Sequence, residues 1–345
     1  MERLNKNKIV LRIMGVWSLV CVMVLASCSS KRSYFPRKME LQHVDVVRFD
    51  EAILNVSVDS SLQDIRYLYD EYETFMPVFT ENILGISPED TLYLAEALPL
   101  FLEDTLYGFK ETNAEVKKQF ADISDLEEKM DKAFMRFHYL YPEMPIPTVY
   151  FFISGFNASI LFMEEDIAVG TDMYLGKDWK YYNRVVHNYQ KQNMRRECIP
   201  IDVVSAYLFR NLLYTATKNR LIDNMIYRGK VMYLLSVLMP EYPGYEIMGY
   251  TKEQWDWCVK HERAIWNTIM DKRDLFKTES MVLTSYLNDG PFTSEVSQDA
   301  PGRVGTWIGW RIAESYMEHN EQVTLQELIA DGDAQAILQN SFYKP

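Results

Sequence analysis

Residues 148–153, with the sequence TVYFFI, form the clearest β segment of the chain and decide its fold class. The segment combines β-branched and aromatic side chains, which favour strands, and the Ser154-Gly155 pair after it permits a turn. Residues 159–163 and 167–169 are also largely apolar, and they flank the acidic run 164–166. This pattern predicts a hairpin with a solvated, charged tip. A cation site at the three acids is the alternative, but the nearby sequence supplies no second cluster of ligands.

Helical periodicity predominates on both sides of this β segment. Before it, we predict helices over 60–75, 87–106 and 116–141, with Pro99 kinking or dividing the second. After it, we predict helices over 201–217, 221–238, 274–287, 304–317 and 333–339, and capping boxes that open helices at Thr251 and Thr324. Residues 43–49 are interpreted as a short strand or an extended segment. The predicted fold class is therefore α+β, predominantly α-helical, with a small β-sheet.

Composition indicates a folded, acidic protein. Hydrophobic residues make up 48% of the 345 residues, which is enough for a large core, and the net charge is −13. An acidic surface repels phosphate backbones, so we expect no nucleic-acid partner. No Gly-, Ser- or Pro-rich linker divides residues 45–345, which we predict to form one domain.

The N-terminus has the pattern of a secretory signal. Residues 1–12 are basic and residues 13–26 are uncharged and mostly apolar. Fourteen helical residues span roughly 21 Å, less than the ~30 Å hydrocarbon core of a bilayer. The run ends in Leu25-Ala26-Ser27-Cys28, which resembles a bacterial lipobox. That resemblance implies removal of residues 1–27 and acylation of Cys28, whereas an ordinary signal peptide and an uncleaved anchor are the alternatives.

The residues after Cys28 favour one location. Residues 28–44 are interpreted as a lipidated N-terminus and tether, so the membrane is a partner through lipid. Lipoproteins that some Gram-negative bacteria export to the surface carry acidic residues beside the acylated cysteine, and none stands there in this chain. We therefore predict an outer-membrane lipoprotein that faces the periplasm.

Two cysteines remain in the predicted mature chain, Cys198 and Cys258. An exported compartment permits a disulfide between them, and the alternative is two small buried hydrophobic residues. No CxxC pair is present, which excludes a thioredoxin-type redox site.

Sequence motifs of catalysis are absent. A zinc helix of the HExxH type needs histidines at i and i+4, but His261-Glu262 is followed by Ile265. No GxSxG elbow, phosphate-binding P-loop or GxGxxG turn occurs. We therefore predict no catalytic residue, no metal ligand and no cofactor, and the sequence favours a noncatalytic protein over an enzyme.

Five further segments form recognisable motifs: VYFFISG at 149–155, GTDMYLGKD at 170–178, MIYRGKVMYLL at 225–235, PGRVGTWIGWRIAESYM at 301–317 and AQAILQNSFYKP at 334–345. Together they resemble the gliding-motility lipoprotein GldB family of Bacteroidetes. The resemblance, with the lipobox, spans nearly the whole mature chain. It implies an envelope lipoprotein associated with the gliding apparatus and its linked protein-secretion machine, and partners of that kind.

The family is also distantly similar to predicted zinc peptidases that carry an HExxH helix. In that alignment the metal helix corresponds to about 209–214, and the later ligand falls near Arg228-Gly229. Neither segment can hold zinc, because Asn, Leu and Tyr replace the ligands and Arg228 is a permanent cation. The resemblance therefore implies a degenerate zinc-peptidase-like domain that serves as a binding scaffold.

Two glycine-bounded loops within the family-like motifs supply the candidate binding site. Asp172, Tyr174 and Arg303 are expected to line the rim of a cleft that engages a partner or ligand. The alternative is that the glycines at 170, 176, 302 and 305 only permit turns or close packing, with Asp172 capping locally.

Three functions remain open from the sequence. The first is a noncatalytic envelope lipoprotein that supports gliding or a related secretion or envelope-assembly complex. The second is a degenerate or metal-independent hydrolase of peptide or cell-wall material. The third is a ligand-binding lipoprotein that grips glycan or peptide with Trp255, Trp257 and Trp266, although tryptophans at this spacing more often pack in a core.

Overall fold

The computed structural model describes residues 32–345. Cys28 and the predicted signal peptide lie outside the described residues, so lipidation and the division at residues 27 and 28 stay predictions. Residues from Met39 to Pro345 form one unit by their internal contacts, and every helix and strand below belongs to it. Residues 32–38 precede this unit and contain no helix or strand.

The β segment lies in a four-stranded sheet. The strands are β1 (Val46–Arg48), β2 (Val149–Phe152), β3 (Ile160–Phe162) and β4 (Ile167–Gly170), in the order β1-β2-β4-β3. β1, β2 and β4 run parallel, with Val149 opposite Ile167, while β3 pairs antiparallel with β4. The predicted hairpin is therefore confirmed, and the uninterrupted apolar run of β2 is explained because parallel strands are covered on both faces.

Helices surround this sheet, which confirms the predominantly helical α+β class. Those before β2 are α1 (Phe49–Ile53), α2 (Ser61–Glu71), α3 (Phe75–Asn82), α4 (Thr91–Leu102), α5 (Phe109–Gln119) and α6 (Ser124–Leu140). Those after β4 are α7 (Ile199–Asn211), α8 (Leu221–Leu238), α9 (Gly244–Met248), α10 (Lys252–Asp271), α11 (Ser280–Leu287), α12 (Val304–His319), α13 (Leu325–Ala330) and α14 (Ala334–Asn340). Both predicted capping boxes are present, at Thr251 and Thr324.

Five predicted helices differ from the structure. Those predicted over 60–75 and 201–217 end earlier, at Glu71 and Asn211, and local polar groups explain the other three differences. The predicted helix over 116–141 is two helices, α5 and α6, because the Asp122 carboxylate accepts the Ser124 backbone N–H at 3.0 Å and forms a turn between them. The helix predicted from Ser87 begins at Thr91, because the Asp90 carboxylate caps it by accepting the Tyr93 N–H at 3.1 Å. It also continues through Pro99 without dividing.

The last of these differences is the helix predicted over 274–287. A separate 3₁₀ turn, Asp274–Phe276, precedes α11 there. Asp274 is buried, and its carboxylate accepts from Lys277 Nζ at 2.5 Å and from the Tyr286 hydroxyl at 2.8 Å. These two bonds hold the 3₁₀ turn against the side of α11, so the turn does not join α11 as one continuous helix.

A close crossing of α8 and α12 organises the C-terminal half. A Cβ on Gly309 would lie 1.8 Å from the Met225 carbonyl oxygen, and one on Gly229 would lie 2.0 Å from the Gly309 carbonyl carbon. The two helix backbones are therefore in direct contact, which only glycine permits. As a consequence, Arg228 on α8 and Arg303 at the start of α12 face one cavity.

Two further findings concern the described residues. Cys198 and Cys258 are both free, buried thiols, so they are small buried residues and not a disulfide. Within 32–345, no helix has the length and apolar character needed to span a bilayer.

Candidate functional site

A cavity of about 630 Å³ opens between the turn after β4, the inner faces of α7 and α8, and the N-terminal end of α12. The segments 190–194 and 246–250 complete its wall. Tyr174 and Arg303, two of the three predicted rim residues, line it. The structure thus brings together residues that are 129 positions apart in the sequence.

The first polar group of the cavity is a tyrosine–carboxylate pair. The Tyr174 hydroxyl donates to Asp202 Oδ2 at 2.8 Å, and Tyr174 is otherwise almost completely buried. Burial raises the pKa of Asp202 to about 6, although the Tyr174 hydrogen bond and the positive charge of Arg303 partly oppose this. A carboxyl group with a pKa near neutrality in a cavity wall is typical of functional sites.

The second group is Arg303, which has an unusual backbone. Its φ of 61° is in the left-handed region, which is strained for a residue other than glycine. The side chain is held from two sides, because Nε pairs with Asp289 Oδ1 at 2.7 Å and Nη2 donates to the Met248 carbonyl. Gly249 lies beside it with a φ of 68°, a left-handed conformation that favours glycine. Arg303 is therefore fixed at the cavity wall and not a mobile surface side chain.

The third group is Arg228 on α8. Its Nη1 donates to the Leu287 carbonyl at 2.7 Å, and the residue is partly buried. Burial and the positive charge of nearby Arg303 lower the pKa of Arg228. A guanidinium in this position is an anion-binding group by its chemistry.

Asp172 does not lie at the rim, which corrects the expectation from the sequence. It is fully buried. Its carboxylate accepts the backbone N–H groups of Ser154 and Phe156, both at 2.7 Å, and the Ser154 hydroxyl at 3.0 Å. Asp172 thus caps the loop after β2, as the alternative interpretation held. Because this loop packs against Gly170, where a Cβ would lie 2.2 Å from the Ala158 carbonyl oxygen, Asp172 maintains the sheet edge beside the cavity.

The cysteine of the cavity wall is not a reactive nucleophile. Burial raises the pKa of the Cys198 thiol to about 12, so the thiol stays protonated at neutral pH. Four methionines at 173, 194, 232 and 248 share the wall with aromatic side chains at 189, 209 and 227. Methionine is adaptable in packing, so this wall fits ligands of irregular shape.

Sequence reasoning missed Asp202 as a site residue and treated Arg228 only as an obstacle to zinc. Both are charged residues within helices whose neighbouring positions are largely apolar, as in Ile201-Asp202-Val203-Val204. A charged side chain in such a stretch is a usable signal, because burying a charge is unfavourable unless a partner group compensates for the lost hydration. The signal identifies a candidate residue but does not show which distant residues it meets.

The three tryptophans considered for ligand binding are half-buried and contact other rings of the fold, with Trp257 stacked on His261 of the same helix. Trp255 makes edge-to-face contacts with Trp307 and Trp310, and Trp266 makes one with Tyr343. They do not line the described cavity.

The peptidase-like alignment can be placed on the structure. α7 ends at Asn211, so only the first part of 209–214 is helical, and Phe209 and Arg228 both line the cavity. Within residues 32–345, no three His, Cys, Asp or Glu side chains are grouped so that they could share a metal ion. The peptidase-like architecture stays a prediction.

Comparison with known proteins gives one match. The model of a family described as gliding motility protein GldB matches residues 35–345, which is most of the chain. No curated protein and no solved structure matches significantly.

Proposed function

Because the chain belongs to the GldB family of gliding motility proteins, we propose that it is a noncatalytic envelope lipoprotein that supports gliding or an associated secretion or envelope-assembly complex. The family match over residues 35–345 is the observation that carries this proposal. It covers all the helices and strands of the described fold, including every residue of the cavity.

The anchor in this proposal is lipid on Cys28. The basic, apolar and small-residue segments of 1–28 stand in the order of a lipoprotein signal, and the family name also marks its members as lipoproteins. Several acyl chains at about 0.8 kcal/mol per buried methylene hold a protein stably on a bilayer. We place the domain on the periplasmic face of the outer membrane, in contact with envelope proteins of the gliding or secretion type.

The cavity is the proposed binding site for a partner segment or ligand. Its volume of about 630 Å³ falls within the usual range for ligand pockets, about 300–1,000 Å³. Its fixed polar groups are Arg303 and the Tyr174–Asp202 pair. These groups would orient a bound ligand and select among ligands. The high-pKa thiol of Cys198 agrees with binding more than with nucleophilic chemistry.

Gene deletion and complementation in a gliding host test the proposal. The deletion strain should stop moving over surfaces, and the wild-type gene should restore movement. Tyr174→Phe removes only the hydroxyl that contacts Asp202, and Arg303→Ala removes the paired guanidinium, so both should reduce movement at normal protein level and lipidation. Arg210→Ala is the matched control, because Arg210 is exposed, donates to the Asp166 carbonyl and does not line the cavity.

Two results would overturn the proposal. A deletion strain that moves like the wild type removes the link to gliding. Full complementation by both Tyr174→Phe and Arg303→Ala removes the cavity as the working site.

One observation favours hydrolysis as a second candidate. Asp202, with a pKa near 6 in a cavity, has the property expected of a general acid or base. This candidate requires that purified protein cleave peptide or cell-wall material and that Asp202→Asn abolish cleavage. Gliding that survives Asp202→Asn, together with no cleavage, favours the binding role.

A further inference from the structure

The charge of Arg228 is unbalanced within the described fold. The ion pairs among residues 32–345 include Arg303 with Asp289 on the same cavity wall but none for Arg228. Its guanidinium makes one hydrogen bond there, from Nη1 to the carbonyl of Leu287 at 2.7 Å. Since a guanidinium carries five N–H donors, most of its capacity is left for a group that enters the cavity.

The surroundings of Arg228 disfavour its charge. Burial and the neighbouring Arg303 both lower its pKa. An anion placed against Arg228 would offset both effects, because it supplies the opposite charge and accepts hydrogen bonds from the remaining guanidinium N–H groups.

The other acids of the cavity limit which anion fits. Asp202, Glu246 and Asp289 line the same space. The hydrogen bond of Asp202 is with Tyr174 and the ion pair of Asp289 is with Arg303. Asp289 partly offsets the charge of Arg228 through space, but neither acid forms an ion pair with it. A phosphate dianion in this cavity would be repelled by the charges of the three acids, and a singly charged carboxylate at the same place would be repelled half as strongly. The Arg fork also matches the two oxygens of a carboxylate.

The rest of the cavity wall indicates what kind of molecule carries the carboxylate. The methionines at 173, 194, 232 and 248 and the aromatic residues Tyr189, Phe209 and Tyr227 form its apolar part. Side-chain amides of Gln192 and Asn193 stand nearby and donate to the Gly249 carbonyl at 2.8 and 3.0 Å. A small amphipathic acid therefore fits this lining better than a bare inorganic ion.

We propose that the cavity binds a small organic ligand through its carboxylate, which forms an ion pair with Arg228. This inference rests on the proposed binding role of the cavity and specifies its ligand class. Arg303 and Gly249 shape the wall, and Arg228 supplies the charge that recognises the ligand.

Titration of the full chain in detergent micelles tests the inference. The probes are a series of acids from acetate to acetyl-dialanine, the C-terminal amide of acetyl-dialanine, and inorganic phosphate. Methionine methyl groups labelled with carbon-13 report binding, because four of them line the cavity. The acids should shift these four signals with increasing affinity as the apolar body grows, and the amide should not. Arg228→Gln should weaken binding about 10- to 100-fold, the loss expected for one charge-assisted contact.

The controls separate recognition from folding. Arg228→Gln keeps an N–H donor for the Leu287 carbonyl, and an unchanged melting temperature shows that the fold persists. Arg210→Gln removes an arginine outside the cavity and should leave affinity unchanged.

Four results would overturn the inference. They are equal binding of acid and amide, unchanged affinity in Arg228→Gln, preferential Arg228-dependent binding of phosphate, and no shift of the cavity methyl signals by any acid at millimolar concentration. In each case, gliding defects of Tyr174→Phe and Arg303→Ala would still support the proposed function. The two proposals can therefore fail separately.

Discussion

Asp202→Asn should stabilise the protein at neutral pH, because burial makes the ionised form of the wild-type carboxylate unfavourable in the folded state. Burial raises its pKa from the ordinary value of 3.8 to about 6. At about 1.4 kcal/mol for each pKa unit, this rise costs the folded state about 3 kcal/mol once the group is ionised. The carboxylate is only partly buried at the cavity wall, so solvent screening reduces the expected cost to about 1–2 kcal/mol.

The pH dependence has a definite sign. Between pH 4 and pH 6 the folded state retains a proton on Asp202 that the unfolded chain has released. The free energy of unfolding therefore falls as pH rises through this window, and the contribution of Asp202 is fully lost above it. Asparagine does not titrate and can still accept the Tyr174 hydrogen bond, so the advantage of Asp202→Asn should be absent near pH 4 and complete near pH 7.

Urea unfolding of both proteins at a series of pH values measures this difference. For a domain of this size, about 1–2 kcal/mol corresponds to a rise of about 2–3 °C in Tm at pH 7. Asp256→Asn is the matched control, because Asp256 is exposed in a surface pair with Lys252 and should change stability by less than about 0.5 kcal/mol. The reasoning is refuted if Asp202→Asn is less stable than the wild type at pH 7. It is also refuted if the stability difference between the two proteins is the same at pH 4 and pH 7.

Three further predictions concern the anchor and the fold. Cys28→Ala should leave uncleaved precursor without incorporated fatty acid, and acylation of this variant would contradict the lipobox assignment. Gly309→Ala should lower the free energy of unfolding in urea by about 1–3 kcal/mol, because its Cβ would collide with the Met225 carbonyl oxygen. At an exposed helix position the same change from glycine to alanine instead raises the free energy of unfolding by up to about 1 kcal/mol. Asp172→Ala should lower Tm by leaving the buried N–H group of Ser154 and the partly buried N–H group of Phe156 without their acceptor, and an unchanged Tm would contradict its capping role.

Local patterns were sufficient where neighbouring residues decide the structure. Helix α8 occupies the predicted 221–238, because apolar periodicity continues until Pro240. The capping boxes at Thr251 and Thr324 formed because their donors and acceptors lie within three residues. Predictions were wrong where a polar side chain competes for the backbone, as Asp122 does between α5 and α6.

The sequence by itself determined the fold class and supplied the pattern of an N-terminal lipid anchor, because both depend on residues that are adjacent along the chain. Only the tertiary structure decided that Tyr174 and Arg303 share a cavity with Asp202 and Arg228, while Asp172 is buried beneath the neighbouring loop. The physical reason is that these positions are set by the close α8–α12 crossing and by sheet pairing. Such contacts join residues far apart in sequence, and no local periodicity encodes which distant side chains will meet.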